Sequence, residues 1–206
     1  MCLLLLDNHD SFTWNLAELL RSTGKVNFNI ISSGKFELSS MQEYDGIIFS
    51  PGPGLPQEQP TMFRILKEIE ARRQRKEKIP AVLGVCLGMQ AIALHFGATL
   101  YNLPEVVHGQ PRKLTILRPD HFLFKGIPND FKAGLYHSWA VDPESLPKAL
   151  EVLAETSDGT LMALTHKTLP VCGVQFHPES IMTEHGKRLV ENFLSIFAKN
   201  FLLEEN

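Results

Sequence analysis

Four leucines in a row, Leu3-Leu4-Leu5-Leu6, end on Asp7. A run this short and this apolar predicts a buried strand. Asp10 or Ser11 can then cap a helix that runs to about Thr23, where Gly24 stops it. Val26 to Ile31 and Gly46 to Phe49 predict two more strands. Ser50-Pro51-Gly52-Pro53-Gly54 follows and suits neither a helix nor a strand interior. A helix is expected over about Thr61 to Arg75, with Phe63, Leu66 and Ile69 on one face. Ala81 to Val85 is again a short apolar strand, and the next helix holds Gln90, Ile92, Ala93 and Phe96 before Gly97 ends it. Strands alternating with helices at this spacing predict a parallel sheet covered on both faces.

Beyond residue 100 the pattern is richer in strands. Leu114 to Leu117, Ala140-Val141, Leu150 to Ala154, Leu161 to Leu164 and Val171 to Phe176 are candidates. A last helix is expected from about Glu184 to Lys199, with Leu189, Val190, Phe193, Leu194 and Phe197 as its core stripe. No internal repeat or low-complexity stretch interrupts the chain. The expected fold is therefore α/β: a three-layer, mostly parallel open sheet flanked by helices, with extra antiparallel strands in the second half. One domain is expected over residues 1–206, a length that supports a full-sized core.

Chemistry enters at Gly84-Val85-Cys86-Leu87-Gly88-Met89-Gln90. A glycine two residues before and two after a nucleophile marks a sharp strand-to-helix turn, where side chains would find no room. Cys86 would sit at a helix N-terminus, where the dipole favours the thiolate. The Leu87 N–H would be placed to stabilise an oxyanion. Gln90, four residues on, shares a helix face with Cys86. On this segment alone, a small buried cysteine in a tight turn explains the pattern nearly as well.

A thiol nucleophile needs a base, and of the eight histidines His177 stands out. It closes the strand Gly173-Val174-Gln175-Phe176, and Pro178 prevents that strand from continuing. Residues two apart in extended chain point to one side, so Glu179 can orient the imidazole and set its tautomer. A histidine at a strand end, with Glu179 capping the next turn, is the plainer alternative.

Composition adds mostly exclusions. Hydrophobic residues at 44% and charged residues at 21% are ordinary for a globular protein. A net charge of −3 gives no reason to expect nucleic acid or an anionic membrane as a partner. The basic run Arg72 to Lys78 reads as a solvated helix end. Cys2, Cys86 and Cys172 are neither a disulfide framework nor metal-type pairs, so no metal is expected. The opening Met1-Cys2-Leu3-Leu4-Leu5-Leu6-Asp7 is too short to span a membrane and lacks the marks of a signal peptide, so the expected location is cytoplasmic.

The two chemical segments together, Gly84 to Gln90 and Gly173 to Ser180, closely resemble those of the class I (triad) glutamine amidotransferases. Asp7-Asn8-His9-Asp10-Ser11-Phe12-Thr13, Ser50 to Gly54 and Tyr136-His137-Ser138 extend the resemblance over nearly the whole chain. They narrow it to the small subunits of anthranilate synthase and para-aminobenzoate (aminodeoxychorismate) synthase. The resemblance implies a Cys86 thiolate that attacks the glutamine side-chain amide, with His177 as base and Glu179 as third member. It implies Gly54 as a second oxyanion donor beside Leu87, and Gly52, Gln90, Ser138 and Trp139 as glutamine-holding positions. It further implies no cofactor in this chain, and a larger chorismate-binding synthase partner that uses Mg and receives the ammonia. Met89 and Trp139 depart from the subfamily pattern, which usually has histidine and leucine there. The stretch His108 to Arg112 matches the synthase-facing segment only in part. A triad amidase with another ammonia acceptor, and a non-catalytic partner of the same fold, are the competing readings. An intact Cys86, His177 and Glu179 set argues against the second.

Overall fold

The computed structural model describes residues 2–201, without the side chains of 105–107 and 197–201. The first half alternates as its pattern predicts. β1 (Cys2–Asp7) leads to α1 (Phe12–Thr23), β2 (Asn27–Ser32), β3 (Gly46–Phe49), α2 (Pro60–Arg75), β4 (Ala81–Val85) and α3 (Leu87–His95). The second half runs β5 (Leu100–Ile116), β6 (Asp130–Val141), β7 (Leu150–Thr156), β8 (Leu161–His166), β9 (Val171–Val174) and α4 (Gly186–Phe201). α1 stops at Gly24 in the left-handed conformation. At its start the Asp10 carboxylate accepts from the Phe12 N–H at 2.7 Å, while the Ser11 hydroxyl caps nothing.

Among the described residues one sheet has the order β2-β1-β3-β4-β9-β8-β7-β5-β6. The pairings from β2 through β9 are parallel, and those from β9 through β6 are antiparallel. The leucine run of β1 explains the layering. Leu3 and Leu5 face one core with Leu16, Ala17 and Leu20 of α1 and Leu189, Val190, Phe193 and Leu194 of α4. Leu4 and Leu6 face the other with Met62, Ile65, Leu66 and Ile69 of α2 and Ile92 of α3. A strand alternates faces, so a sheet covered on both sides needs every residue apolar. The buried stripe of α2 is therefore Met62, Ile65, Leu66 and Ile69, and Phe63 packs only at its edge. The Phe197 side chain expected in the α4 stripe lies outside the described residues.

The long β5–β6 hairpin differs most from expectation, since the hydrophobic pattern predicts strand only at its ends. Pro104, Gly109 and Pro111 hide it. The structure accommodates them because residues 100–113 pair with β6 alone, leaving their other edge free, and because β5 bulges near His108. Proline tolerates such an edge where a central position would lose a ladder bond.

The turn from β4 into α3 is the tightest place in the molecule. A Cβ on Gly84 would lie 2.4 Å from the Gly88 carbonyl carbon and 2.5 Å from its oxygen. A Cβ on Gly88 would lie 2.7 Å from both the Cβ and the O of Phe49 on β3. Backbone cannot yield as a side-chain tip can. Gly84→Ala is expected to lower the free energy of urea unfolding by about 3 kcal/mol. Gly34→Ala, with nothing within 4 Å of its new methyl, should stay within about 0.5 kcal/mol of the parent.

Candidate active site

Four strands deliver their C-terminal ends to one place. β1 is followed by Asn8, β3 by Ser50 to Gly54, β4 by Cys86 and β9 by Gln175 to Glu179. Parallel neighbours point their ends the same way, so ligand sites collect outside the carboxyl ends of such sheets. Asn8 joins the first two segments: its N–H donates to Ser50 Oγ at 2.9 Å and its side-chain amide to the Ser50 carbonyl at 2.8 Å.

Cys86 sits at φ 52° and ψ −103°, a left-handed value for a residue with a side chain. Such a conformation costs about 1–3 kcal/mol and persists only where its surroundings enforce it. Here they do: the Cys86 N–H is bonded to the Val174 carbonyl at 2.8 Å, and α3 begins at the next residue. Cys86 is 8% exposed and stands at the helix N-terminus, where first-turn N–H groups lack intrahelical partners. Cys172 is buried beside β4, and burial alone pushes its thiol up to about 12. The chain thus separates one placed thiol from one inert one.

His177 Nδ1 bonds Glu179 Oε1 at 2.7 Å, and both side chains are almost wholly buried. Rings of Phe12 and Tyr136 pack on the imidazole with centroids at 4.8 and 4.9 Å. His177 is fastened through its backbone as well, its N–H donating to Gly134 O at 3.1 Å and its carbonyl accepting from Thr183 Oγ1 at 2.6 Å. Burial works against a charge on His177, but the Cys86 thiol and the Glu179 carboxylate outweigh it and raise the imidazole to about 10. Nε2 has no hydrogen bond of normal geometry, so its coupling to Cys86 is one of proximity.

A cavity of about 190 Å³ opens at the thiol, lined by Gly52, Gly54, Leu87, Gln90, Ser138 and Trp139 together with Cys86, Tyr136 and His137. All the glutamine-holding and oxyanion positions expected from the sequence therefore meet at one pocket. A Cβ on Gly52 would strike Leu87 Cδ2 at 2.5 Å, and Gly54 has φ 72°. Gln90 is committed differently from expectation: its Nε2 donates to the Trp139 carbonyl at 2.8 Å and to Gln175 Oε1 at 3.1 Å. Met89 is not at the rim. It packs against Gly173 on the apolar side of α3. Trp139 does line the pocket. A larger cavity of about 540 Å³, between the β5–β6 hairpin and the β7–β8 turn, shares only His137 with the site. Among the described residues no three His, Cys, Asp or Glu side chains gather as they would around a metal ion. None of the described helices is long and apolar enough to cross a membrane.

Sequence reasoning gave no role to Phe12 or Gln175. A fully buried glutamine, two residues before the base in an apolar strand, was a signal available for the second.

Comparison with known proteins agrees with this geometry. The family model for glutamine amidotransferase class-I matches residues 4–197. Anthranilate synthase component 2 of Azospirillum brasilense is 40% identical over 194 residues, covering 94% of this chain and 95% of the relative. Aminodeoxychorismate/anthranilate synthase component 2 of Bacillus subtilis is 38% identical over 205 residues, covering 97% and 99%. A crystal structure from Thermoplasma acidophilum, provisionally assigned as a GMP synthase subunit, superposes with a TM-score of 0.86 at 25% identity, over 100% of this chain and 98% of that one.

The charge on His177 gives a direct test. Glu179→Gln removes one of the two groups that raise the imidazole, so His177 should release its proton at lower pH than in the parent. An NMR titration of its ring protons should show the parent still protonated at pH 8, with the variant's midpoint displaced downward. Equal midpoints would mean that the carboxylate does not govern the proton.

Proposed function

Because the chain belongs to the class-I glutamine amidotransferase family, we propose that it is the subunit that releases ammonia from L-glutamine for a separate, chorismate-aminating synthase. The carrying observation is the Cys86 thiol on its strained turn, with the buried His177–Glu179 pair close by and the small pocket opening at it.

The chemistry follows from these positions. The Cys86 thiolate attacks the side-chain amide carbon of glutamine, forming a C–S bond and sending the carbonyl electron pair to oxygen. N–H groups of Leu87 and Gly54 receive that oxyanion, and one such donor is worth roughly 10²–10³ in rate. As the oxyanion collapses, the C–N bond breaks and the His177 imidazolium gives its proton to the departing ammonia. The neutral imidazole then takes a proton from water attacking the thioester. The C–S bond breaks, glutamate leaves and the thiolate returns. Proton transfers of this kind contribute about 10²–10⁴ in rate. Glu179 keeps the imidazole in one tautomer throughout, its carboxylate accepting from Nδ1.

Gly52 lets backbone approach the substrate, and Ser138 and Trp139 bound the amino-acid end of the pocket. With its amide nitrogen engaged, Gln90 has only Oε1 to offer the substrate. The subunit uses no cofactor, and Mg belongs to the synthase partner. The product of the joint reaction is anthranilate, on the way to tryptophan, or aminodeoxychorismate, the precursor of para-aminobenzoate and folate, and the Bacillus subtilis relative's name covers both synthases. Three free cysteines suit a cytoplasmic setting.

Ammonia delivery to a nucleotide synthase is the second reading, supported by the Thermoplasma acidophilum structure. The near-complete coverage at 38–40% identity to component 2 proteins favours chorismate.

Cys86→Ser, assayed with the synthase partner, should abolish glutamine-dependent amination and leave ammonia-dependent amination intact. Loss of both would contradict the division of labour, and retention of the first would remove Cys86 from the reaction.

A further inference from the structure

Gln175 is wholly buried, on the segment between β9 and the base. Its amide Nε2 lies 3.4 Å from Cys86 Sγ. A side-chain amide can be turned either way, and here the surroundings decide. The Trp139 carbonyl can only accept, so Gln90 must present its NH2 to it. The second hydrogen of that NH2 goes to Gln175 Oε1 at 3.1 Å. With its oxygen claimed, Gln175 has its NH2 toward the sulfur. The main chain holds it there, its N–H donating to the Met162 carbonyl on β8 at 2.9 Å.

We propose that Gln175 is a further catalytic residue of the thiol site, a fixed donor to Cys86 Sγ that stabilises the thiolate and is itself oriented from the pocket rim through Gln90. This rests on the reading of Cys86 as nucleophile and on no property of the synthase partner. A donor to a charged acceptor favours the charged form. The bond is strong while sulfur carries its negative charge and weak in the thioester, where sulfur is neutral. It therefore acts when the thiolate forms, and again when the C–S bond breaks and its electron pair returns to sulfur. His177 does the rest of the charge balancing, with Glu179 bonded to it and His137 of β6 nearby. Among the described residues, no other titratable side chain lines the pocket except Tyr136. Burial pushes His137 below its ordinary value, against its bond to the Trp139 carbonyl, so it adds no positive charge near the thiol at neutral pH.

The test follows the rate of Cys86 alkylation by iodoacetamide against pH, read by mass spectrometry on the Cys86 peptide so that Cys2 and Cys172 do not contribute. Iodoacetamide needs neither glutamine nor the partner. Gln175→Met fills the same space without a donor. Its rate should rise at higher pH than the parent's, about tenfold slower at pH 6 and converging with the parent in alkali. Gln90→Met leaves Gln175 in place but unoriented and should shift the profile the same way by less. It also serves if Gln175→Met fails to fold. A folded Gln175→Met with the parent's profile, or one slower by the same factor at every pH, overturns the proposal. So does an unshifted Gln90→Met where Gln175→Met is unfolded. A parent Cys86 that stays unreactive below pH 8 overturns the nucleophile reading and this one together, whereas a reactive parent with an unmoved variant overturns this one alone.

Discussion

The register of three parallel strands governs the site. Phe49 of β3 lies level with Gly84 of β4, and Val85 of β4 with Val174 of β9. Because the ladders align these ends, the Pro-Gly loop, Cys86 and the His177 segment all leave the sheet at one height. A slip of one residue in either pairing would turn every side chain of a strand to the other face. Two cores hold the register, one on each side, and the two glycines of the turn let α3 lie directly against β3. The strained backbone at Cys86 is thus enforced by the sheet, through its bond to Val174.

Electrostatics then selects among groups that packing has already placed. A buried carboxylate and a buried imidazole are each costly to charge alone. Joined at 2.7 Å and set beside a thiol, they favour the imidazolium. The same burial without a charged partner pushes the Cys172 thiol up to about 12. Two thiols on neighbouring strands thus differ in chemistry because one faces charge and donors while the other faces apolar side chains and a single carbonyl.

Much of this was legible in the sequence where composition and geometry coincide. Short fully apolar strands and strict helical spacing gave β1, β3, β4 and α2 nearly to the residue. The glycines around Cys86 and the His177-Pro178-Glu179 corner announced a tight turn and a paired base, and family resemblance tied them to one pocket. The β5–β6 hairpin was hidden because its prolines argue against a strand unless one edge is known to be free, and that is a property of topology. The packing of Phe12 on His177 was hidden for a like reason, since a contact between elements far apart in the chain leaves no spacing to read. Met89 departs from the subfamily pattern three residues after Cys86, and its effect on the pocket was not legible until the helix rotation that turns it into the core was known.

On this reading, Cys86 alone among the three cysteines is a nucleophile shaped for a glutamine side chain. Treatment with a diazoketone analogue of glutamine, followed by intact-protein and peptide mass spectrometry, tests it most directly. A single covalent adduct is expected, on Cys86, slowed by added L-glutamine, with Cys2 and Cys172 unmodified. No adduct on Cys86, with or without the synthase partner, or labelling that glutamine does not slow, would contradict it.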